Sequence, residues 1–298
     1  MDNRTDSPSN MAWYSKGVVD YVDNWFLMSS PWPVIAIWLA YIAFVLKLGP
    51  SYMSKRPAYQ LKHTLLLYNI TQVVVSAYIF NYGLDILRSW GLVSPQCATE
   101  GKDSQHYILR GAYIYFLAKV SELLDTVFFV LRKKMNQVTF LHVYHHSLMM
   151  LSTWCAIKYN PTDAVVFLGT INSLVHVVMY GYYGLSAYPS LAKYLWWKKY
   201  ITSFQLIQFG LITIQVTLSA LVSNCKTSYV LLFTIFFNLG LMIYLFRDFY
   251  IKAYTVKKVS VKSDVKKEVV EDTKGSKGYI TSIINDDVGD QTIKVKGM

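Results

Sequence analysis

Apolar residues run in long blocks along this chain, separated by short polar stretches. The blocks lie near 32–48, 63–84, 111–131, 138–157, 164–186, 200–222 and 229–250. Each is close to the roughly 20 residues that a helix needs to cross about 30 Å of hydrocarbon. The pattern predicts an all-α integral membrane protein with seven transmembrane helices. Residues 1–31 are polar at first and then weakly amphipathic, and form a lumenal N-terminal segment in this reading. They lack the basic start and apolar run of a cleavable signal, so the first span is expected to do the targeting. Residues 32–250 make the seven-span domain. Residues 251–298 are rich in Lys, Asp, Glu, Val, Ser and Gly without a sustained period, which reads as a disordered basic cytosolic tail.

Lysine and arginine alternate between the connections. Lys47, Lys55, Arg56 and Lys62 fall between blocks one and two, Arg132, Lys133 and Lys134 between three and four, and Lys193, Lys198 and Lys199 between five and six. The connections on the opposite side carry few, with Lys158 and Lys226 standing alone in theirs. Positive charge marks the cytosolic side. The amino terminus is therefore expected in the lumen and the carboxyl terminus in the cytosol, which requires an odd number of spans. Asn3-Arg4-Thr5 is a glycosylation sequon on the lumenal side, whereas Asn69-Ile70-Thr71 lies inside the second block and is expected to stay unused. Cys97 and Cys225 both fall in lumenal connections, an oxidising setting, and are predicted to be bridged. Cys155, inside the fourth block, is expected to be a free packing residue.

Composition supports the membrane reading, with 53% hydrophobic and only 16% charged residues. The net charge of +11 would suit a nucleic-acid binder, but 11 of the 29 Lys and Arg lie from Arg247 onward and most others sit in short connections. That is a topology signal, and nucleic-acid binding is excluded. Lys294 and Lys296, three and five residues from the end, resemble the dilysine retrieval signal of endoplasmic reticulum membrane proteins.

Polar side chains inside the blocks change the picture most. Three of the six histidines stand within five residues, His142, His145 and His146, in an apolar setting. An ionisable group in hydrocarbon marks a site by default. Lys119, the one basic residue read well inside a block, is followed at three-residue spacing by Glu122 and Asp125, with Thr126 next to it. Such spacing places them on one helix face. The fifth block carries Asn172, His176 and Tyr180, and the sixth carries Thr202, Gln205 and Gln208. Counted from the cytosolic ends at about 1.5 Å per residue, all these groups fall in one layer roughly 6–18 Å deep. A chamber opening to the cytosol, with an apolar inner end, would suit an amphiphile.

Imidazole serves as general base or nucleophile near neutral pH. Histidine boxes also suggest a metal-dependent desaturase or hydroxylase. A di-iron centre of that kind needs more histidines than the four here (His142, His145, His146 and His176), while a single-metal site built from them stays open.

Four motifs stand in order: Lys119-x-x-Glu122-x-x-Asp125-Thr126, His142-x-x-His145-His146, His176-x-x-Met179-Tyr180-x-Tyr182-Tyr183 and Thr202-x-x-Gln205-x-x-Gln208. In them, and over about residues 25–250, the chain resembles the very-long-chain fatty acid elongases, the condensing enzymes (3-ketoacyl-CoA synthases) of the endoplasmic reticulum. The resemblance implies six of the seven helices in a barrel around a closed-ended acyl tunnel. It implies condensation of a long acyl-CoA with malonyl-CoA to a 3-ketoacyl-CoA two carbons longer, carbon dioxide and CoA, with no metal or other cofactor. It points to His145 as nucleophile through an acyl-imidazole, with His142, His146, His176, Lys119, Glu122 and Asp125 as the other catalytic groups. Asn172, Tyr180, Gln205 and Gln208 would meet substrate, and Lys133, Lys134, Lys198 and Lys199 the CoA phosphates. Partners implied are membrane lipid and the ketoacyl reductase, dehydratase and enoyl reductase of the elongation cycle. Tyr144 and the stretch Tyr194–Tyr200 resemble the branch acting on polyunsaturated chains, the alternative being saturated or monounsaturated ones.

Overall fold

The computed structural model describes residues 16–93, 96–162, 165–224 and 228–256. Every element among them is helical. The long helices are α1 (Trp32–Ser54), α2 (Lys62–Trp90), α3 (Lys102–Leu131), α4 (Phe140–Tyr159), α5 (Val166–Ser186), α6 (Lys198–Val222) and α7 (Tyr229–Tyr250). In α1, a wide turn over Phe44–Leu48 precedes Pro50. Proline has no N–H to donate back, so the helix re-registers there. Gly91, at φ +82°, ends α2 and donates its N–H to the Leu87 carbonyl.

Four of these helices, α1, α2, α6 and α7, are long and apolar enough to cross a membrane. The others, α3, α4 and α5, have 30, 20 and 21 residues. Length is not what sets them apart. They carry Lys119, Glu122, Asp125, the histidines and Asn172, and these lower their apolarity. Helix ends also overrun the apolar blocks. α1 reaches Ser54 instead of 48, α2 reaches Trp90 instead of 84, and α3 starts at Lys102 instead of 111. Hydropathy marks where apolar side chains stop, whereas the backbone ladder continues through polar ones such as the Asp85–Arg88 pair at 3.1 Å.

Contacts join α2 to α3, α3 to α4, α4 to α7, α7 to α6, α6 to α5 and α5 back to α2. The α2–α5 pairing is the closest. A side chain at Gly83 would place its first carbon 2.1 Å from Thr170 Oγ1, so only glycine permits that approach. α1 packs against α3 and α4. On α3, Leu109, Phe116, Leu123 and Val130 face it at seven-residue intervals, buried with Val34, Tyr41, Val45 and Met53 of α1 and with Met150, Trp154 and Ile157 of α4. That period keeps one stripe of a helix against its neighbour over several turns. Large apolar side chains on α7, among them Phe233, Phe237 and Tyr244, remain exposed.

The residues before α1 are docked, with Val22 and Met28 fully buried. One expectation changes. Lys158, read as a connection charge, lies in the last turn of α4, is fully buried, and holds Asp23 at 2.7 Å. Its carboxylate partner is remote in sequence, so local pattern gave it the neighbourhood of a loop. Asn3, Cys225 and the tail lysines Lys294 and Lys296 lie outside the described residues. Cys97 is disulfide-bonded and Cys155 is a free thiol.

Candidate active site

The site begins on α3, where Tyr115, Lys119, Glu122 and Thr126 follow one another at three- and four-residue steps, and so share a face. All four are buried. Lys119 Nζ donates to Glu122 Oε1 at 2.9 Å and Oε2 at 3.0 Å, and to Asn172 Oδ1 of α5 at 2.9 Å. The Tyr115 hydroxyl donates to the same amide oxygen at 2.8 Å. Two donors on Oδ1 fix the orientation of the Asn172 amide. Two histidines approach the same carboxylate: His176 Nδ1 is 3.1 Å from Glu122 Oε1, and His146 Nδ1 is 4.0 Å from Oε2. Glu122 thus joins α3, α4 and α5 in one buried polar cluster. A buried ion pair holds only when further hydrogen bonds occupy its remaining lone pairs and protons, and Asn172 and His176 supply those.

Around this hub, Tyr180 of α5 donates to Asp125 Oδ2 at 2.6 Å, and Thr126 Oγ1 shares a hydrogen bond with the Tyr41 hydroxyl of α1 at 2.8 Å. Gln72 of α2 donates to Ser121 Oγ at 2.9 Å. Asp125 makes no ion pair among the described residues, so the three charges that spacing placed on one face resolve into a Lys119–Glu122 pair with Asp125 served by a tyrosine. One further turn of helix, with its neighbouring hydroxyl, draws the second carboxylate aside.

α4 starts at Phe140 because Thr139 caps it, its Oγ1 accepting from the His142 N–H at 3.2 Å. The histidines therefore occupy its first two turns. The His142 and His146 rings lie 4.3 Å apart, and His145 meets His146 edge to face at 5.4 Å. His142 also meets the Phe129 ring at 5.1 Å. Its Nε2 is buried and has no hydrogen-bond partner among the described residues. Tyr144 points the other way, donating to Asn238 Oδ1 of α7 at 2.7 Å.

A cavity of about 180 Å³ lies between α2, α3, α4, α5, α6 and α7. His145, Asn172 and Gln208 stand on its wall. Ile86, Ile108, Leu109, Ile157 and Val166 line it too, near the ends of their helices. Ile157 is 12 residues beyond His145 on α4, about 18 Å along the axis. The cavity thus has a polar region at His145 and an apolar region away from it. Gln208 Oε1 is buried without a hydrogen-bond partner among the described residues.

Several predicted residues stay outside this cluster. Among the described residues, Gln205 Nε2 meets Met179 Sδ at 3.8 Å. Lys133 and Lys134 are exposed, and Lys198 and Lys199 half-buried. Lys199 lies 4.9 Å from the Tyr200 ring, and none of the four lysines lines the cavity. Among the described residues no group of three His, Cys, Asp or Glu side chains is disposed to hold a metal ion. Sequence reasoning missed Tyr115, Tyr41, Gln72 and Ser121. Tyr115 was findable, since it lies four residues before Lys119 on the same face.

Helices apolar enough for a bilayer, enclosing a cavity with a histidine–carboxylate–lysine cluster on its flank, define a polytopic membrane protein with a buried polar site. A family model described as the GNS1/SUR4 family (ELO) matches residues 26–262, and the chain belongs to that family. Among its relatives, the mouse (Mus musculus) protein "Very long chain fatty acid elongase 2" is 42% identical over 254 residues, covering 84% of this chain and 83% of the relative. The human (Homo sapiens) "Very long chain fatty acid elongase 4" is 40% identical over 236 residues, 78% and 74%. The rat (Rattus norvegicus) "Very long chain fatty acid elongase 7" is 39% identical over 241 residues, 78% and 85%.

Proposed function

We propose that the protein is a fatty acid elongase that condenses a long acyl-CoA with malonyl-CoA. The observation that carries this reading is His145 on the cavity wall, with the Glu122-centred cluster directly behind it. An acyl chain would occupy the apolar part of the cavity with its thioester at His145. The imidazole nitrogen attacks the thioester carbonyl, the C–S bond breaks, and CoA leaves carrying the imidazole proton. Malonyl-CoA then loses carbon dioxide, and the resulting enolate carbon attacks the acyl-imidazole. A carbon–carbon bond forms, the C–N bond breaks, the leaving imidazole nitrogen takes a proton from solvent in place of the one that left with CoA, and His145 is free again. The product is a 3-ketoacyl-CoA two carbons longer.

Each neighbouring group has a place in this scheme. His146 lies between His145 and Glu122, which keeps the imidazole chain in contact with a fixed carboxylate. Lys119 offsets the charge of that carboxylate in a medium where an unpaired anion would be costly. Gln208 and Asn172 stand on the same wall as His145, where amide N–H groups can donate to the oxyanions of both steps. His142, His176, Asp125 and Tyr180 hold the cluster together. No step in this scheme calls for a metal or redox cofactor.

The same reading sets the topology. All of α1–α7 cross the bilayer, α2–α7 close a barrel around an acyl tunnel, the amino terminus is lumenal and the carboxyl terminus cytosolic, in the endoplasmic reticulum. Cys97 and Cys225 are bridged on the lumenal side. Lys133, Lys134, Lys198 and Lys199 meet the CoA phosphates at the cytosolic rim. The product passes to a ketoacyl reductase, a dehydratase and an enoyl reductase. Polyunsaturated chains are the preferred substrates. The test is expression in a yeast without its own elongases, fed a panel of fatty acids. Polyunsaturated products two carbons longer support the reading, longer saturated products alone would correct the substrate class, and no extended product would remove the function. Stoichiometric iron in the purified protein would favour a desaturase instead.

A further inference from the structure

The residues ahead of α1, Gly17–Ser29, form a strap laid on the ends of α3 and α4. Four successive backbone carbonyls of this strap are each held by a side chain of those helices. Tyr113 of α3 donates to the Phe26 carbonyl at 3.2 Å, and Trp154 of α4 donates to that of Leu27 at 2.8 Å. Lys158 of α4 donates to the carbonyls of Met28 and, at 3.5 Å, Ser29. Leu27 has φ +65°, a conformation that a branched side chain adopts only when its surroundings hold it there. The same ammonium holds Asp23 at 2.7 Å, and both Asp23 oxygens accept from the Gly17 N–H. The Val18 N–H closes the loop on the Lys158 carbonyl at 2.9 Å.

This clasp has a counterpart on the cavity side. Val22 and Met28 of the strap are fully buried in the cluster that includes Leu109 of α3 and Ile157 of α4. Leu109 and Ile157 also line the cavity. Leu109 and Ile157 therefore belong both to the packed cluster that holds the strap and to the cavity lining, Ile157 about 18 Å along α4 from His145. A wall clamped by an ion pair and a row of carbonyl contacts cannot yield to a longer chain. Without the clamp it could.

We propose that the strap is a specificity element: by fixing Leu109 and Ile157 it sets where the acyl chain must stop. This rests on the elongase reading given above. The test uses the full chain in an elongase-free yeast fed a series of fatty acids, with Asp23→Asn releasing the clasp. Gly17→Ala is the second variant, because its new side-chain carbon would sit 2.7 Å from Asp23 Oδ1 and 3.0 Å from the Lys158 carbonyl, loosening the strap without altering charge. Size-exclusion chromatography of each detergent extract shows whether it folds, and Gly17→Ala decides if Asp23→Asn does not. The expected result is a shift of the product spectrum toward chains at least two carbons longer. The ratio of the longest product to the next shorter should rise roughly tenfold or more, since one methylene in an apolar pocket already supplies about that discrimination and successive products differ by two. Lower total yield with an unchanged product distribution would overturn the proposal and leave the strap a structural clasp. A wild-type protein that extends nothing would remove the elongase reading itself, a different outcome from a wild type that extends and variants that match it.

Discussion

His176 Nδ1 lies 3.1 Å from Glu122 Oε1, so that one carboxylate of α3 is bonded both to the lysine of its own helix and to a histidine of α5. Removing the charge from Glu122 would strand Lys119, which is 2% exposed. Glu122→Gln is expected to destabilise the protein by about 3–5 kcal/mol, as for one broken half of a buried pair. Thermal unfolding of the detergent-solubilised variant measures this. Pairing Glu122→Gln with Lys119→Met should recover part of the loss, and a double variant no better than the single one would speak against the pair as the hub.

Tyr180→Phe keeps the ring but removes the donor 2.6 Å from Asp125 Oδ2. A buried carboxylate left short of a donor costs about 1–3 kcal/mol. The unfolding temperature should fall accordingly. Tyr144→Phe, which removes the bond to Asn238 in a half-buried setting, should fall by less.

The α2–α5 contact offers a test of packing away from the chemistry. Gly83→Ala puts a carbon 2.1 Å from Thr170 Oγ1 and 3.0 Å from Thr170 Cβ. Overpacking of this kind costs about 1–3 kcal/mol. Thr170→Ala in the same chain should restore some of it, because only the second contact then remains. Unfolding curves of the two variants separate these outcomes.

The basic residues at the proposed cytosolic rim should act on binding more than on turnover. Lys133 and Lys134 are exposed, and exposed charges are each worth about 0.2–1 kcal/mol and are screened by salt. Neutralising Lys133, Lys134, Lys198 and Lys199 together is expected to raise KM for acyl-CoA severalfold, with kcat little changed and the difference shrinking at high salt. Steady-state rates at two ionic strengths check this. An unchanged KM would assign these lysines to topology alone.

Much of the site was legible because helical spacing reports helix faces. Lys119, Glu122, Asn172, His146 and His176 meet as their three- and four-residue steps require, once α3, α4 and α5 are neighbours. Spacing does not say which neighbour a carboxylate chooses, so Asp125 turned to Tyr180, and Gln205, in step with Gln208, met a methionine instead. Long-range partners were the other blind spot. Lys158 looked like a loop charge because Asp23, which buries it, is 135 residues away. The same is true of Tyr41 on Thr126, 85 residues apart. Apolarity located the helices but misplaced their ends, since polar residues extend a helix past its lipid-facing length.

The most direct measurement asks whether His145 takes the acyl group. Purified protein is mixed with a labelled long acyl-CoA, without malonyl-CoA, and acyl groups on the peptide carrying His142, His145 and His146 are located by mass spectrometry while released CoA is counted. An acyl adduct is expected on His145, with one CoA released per protein, discharge of the adduct to 3-ketoacyl-CoA when malonyl-CoA is added, and none of this in His145→Ala. Full condensation by His145→Ala would rule out His145 as the nucleophile.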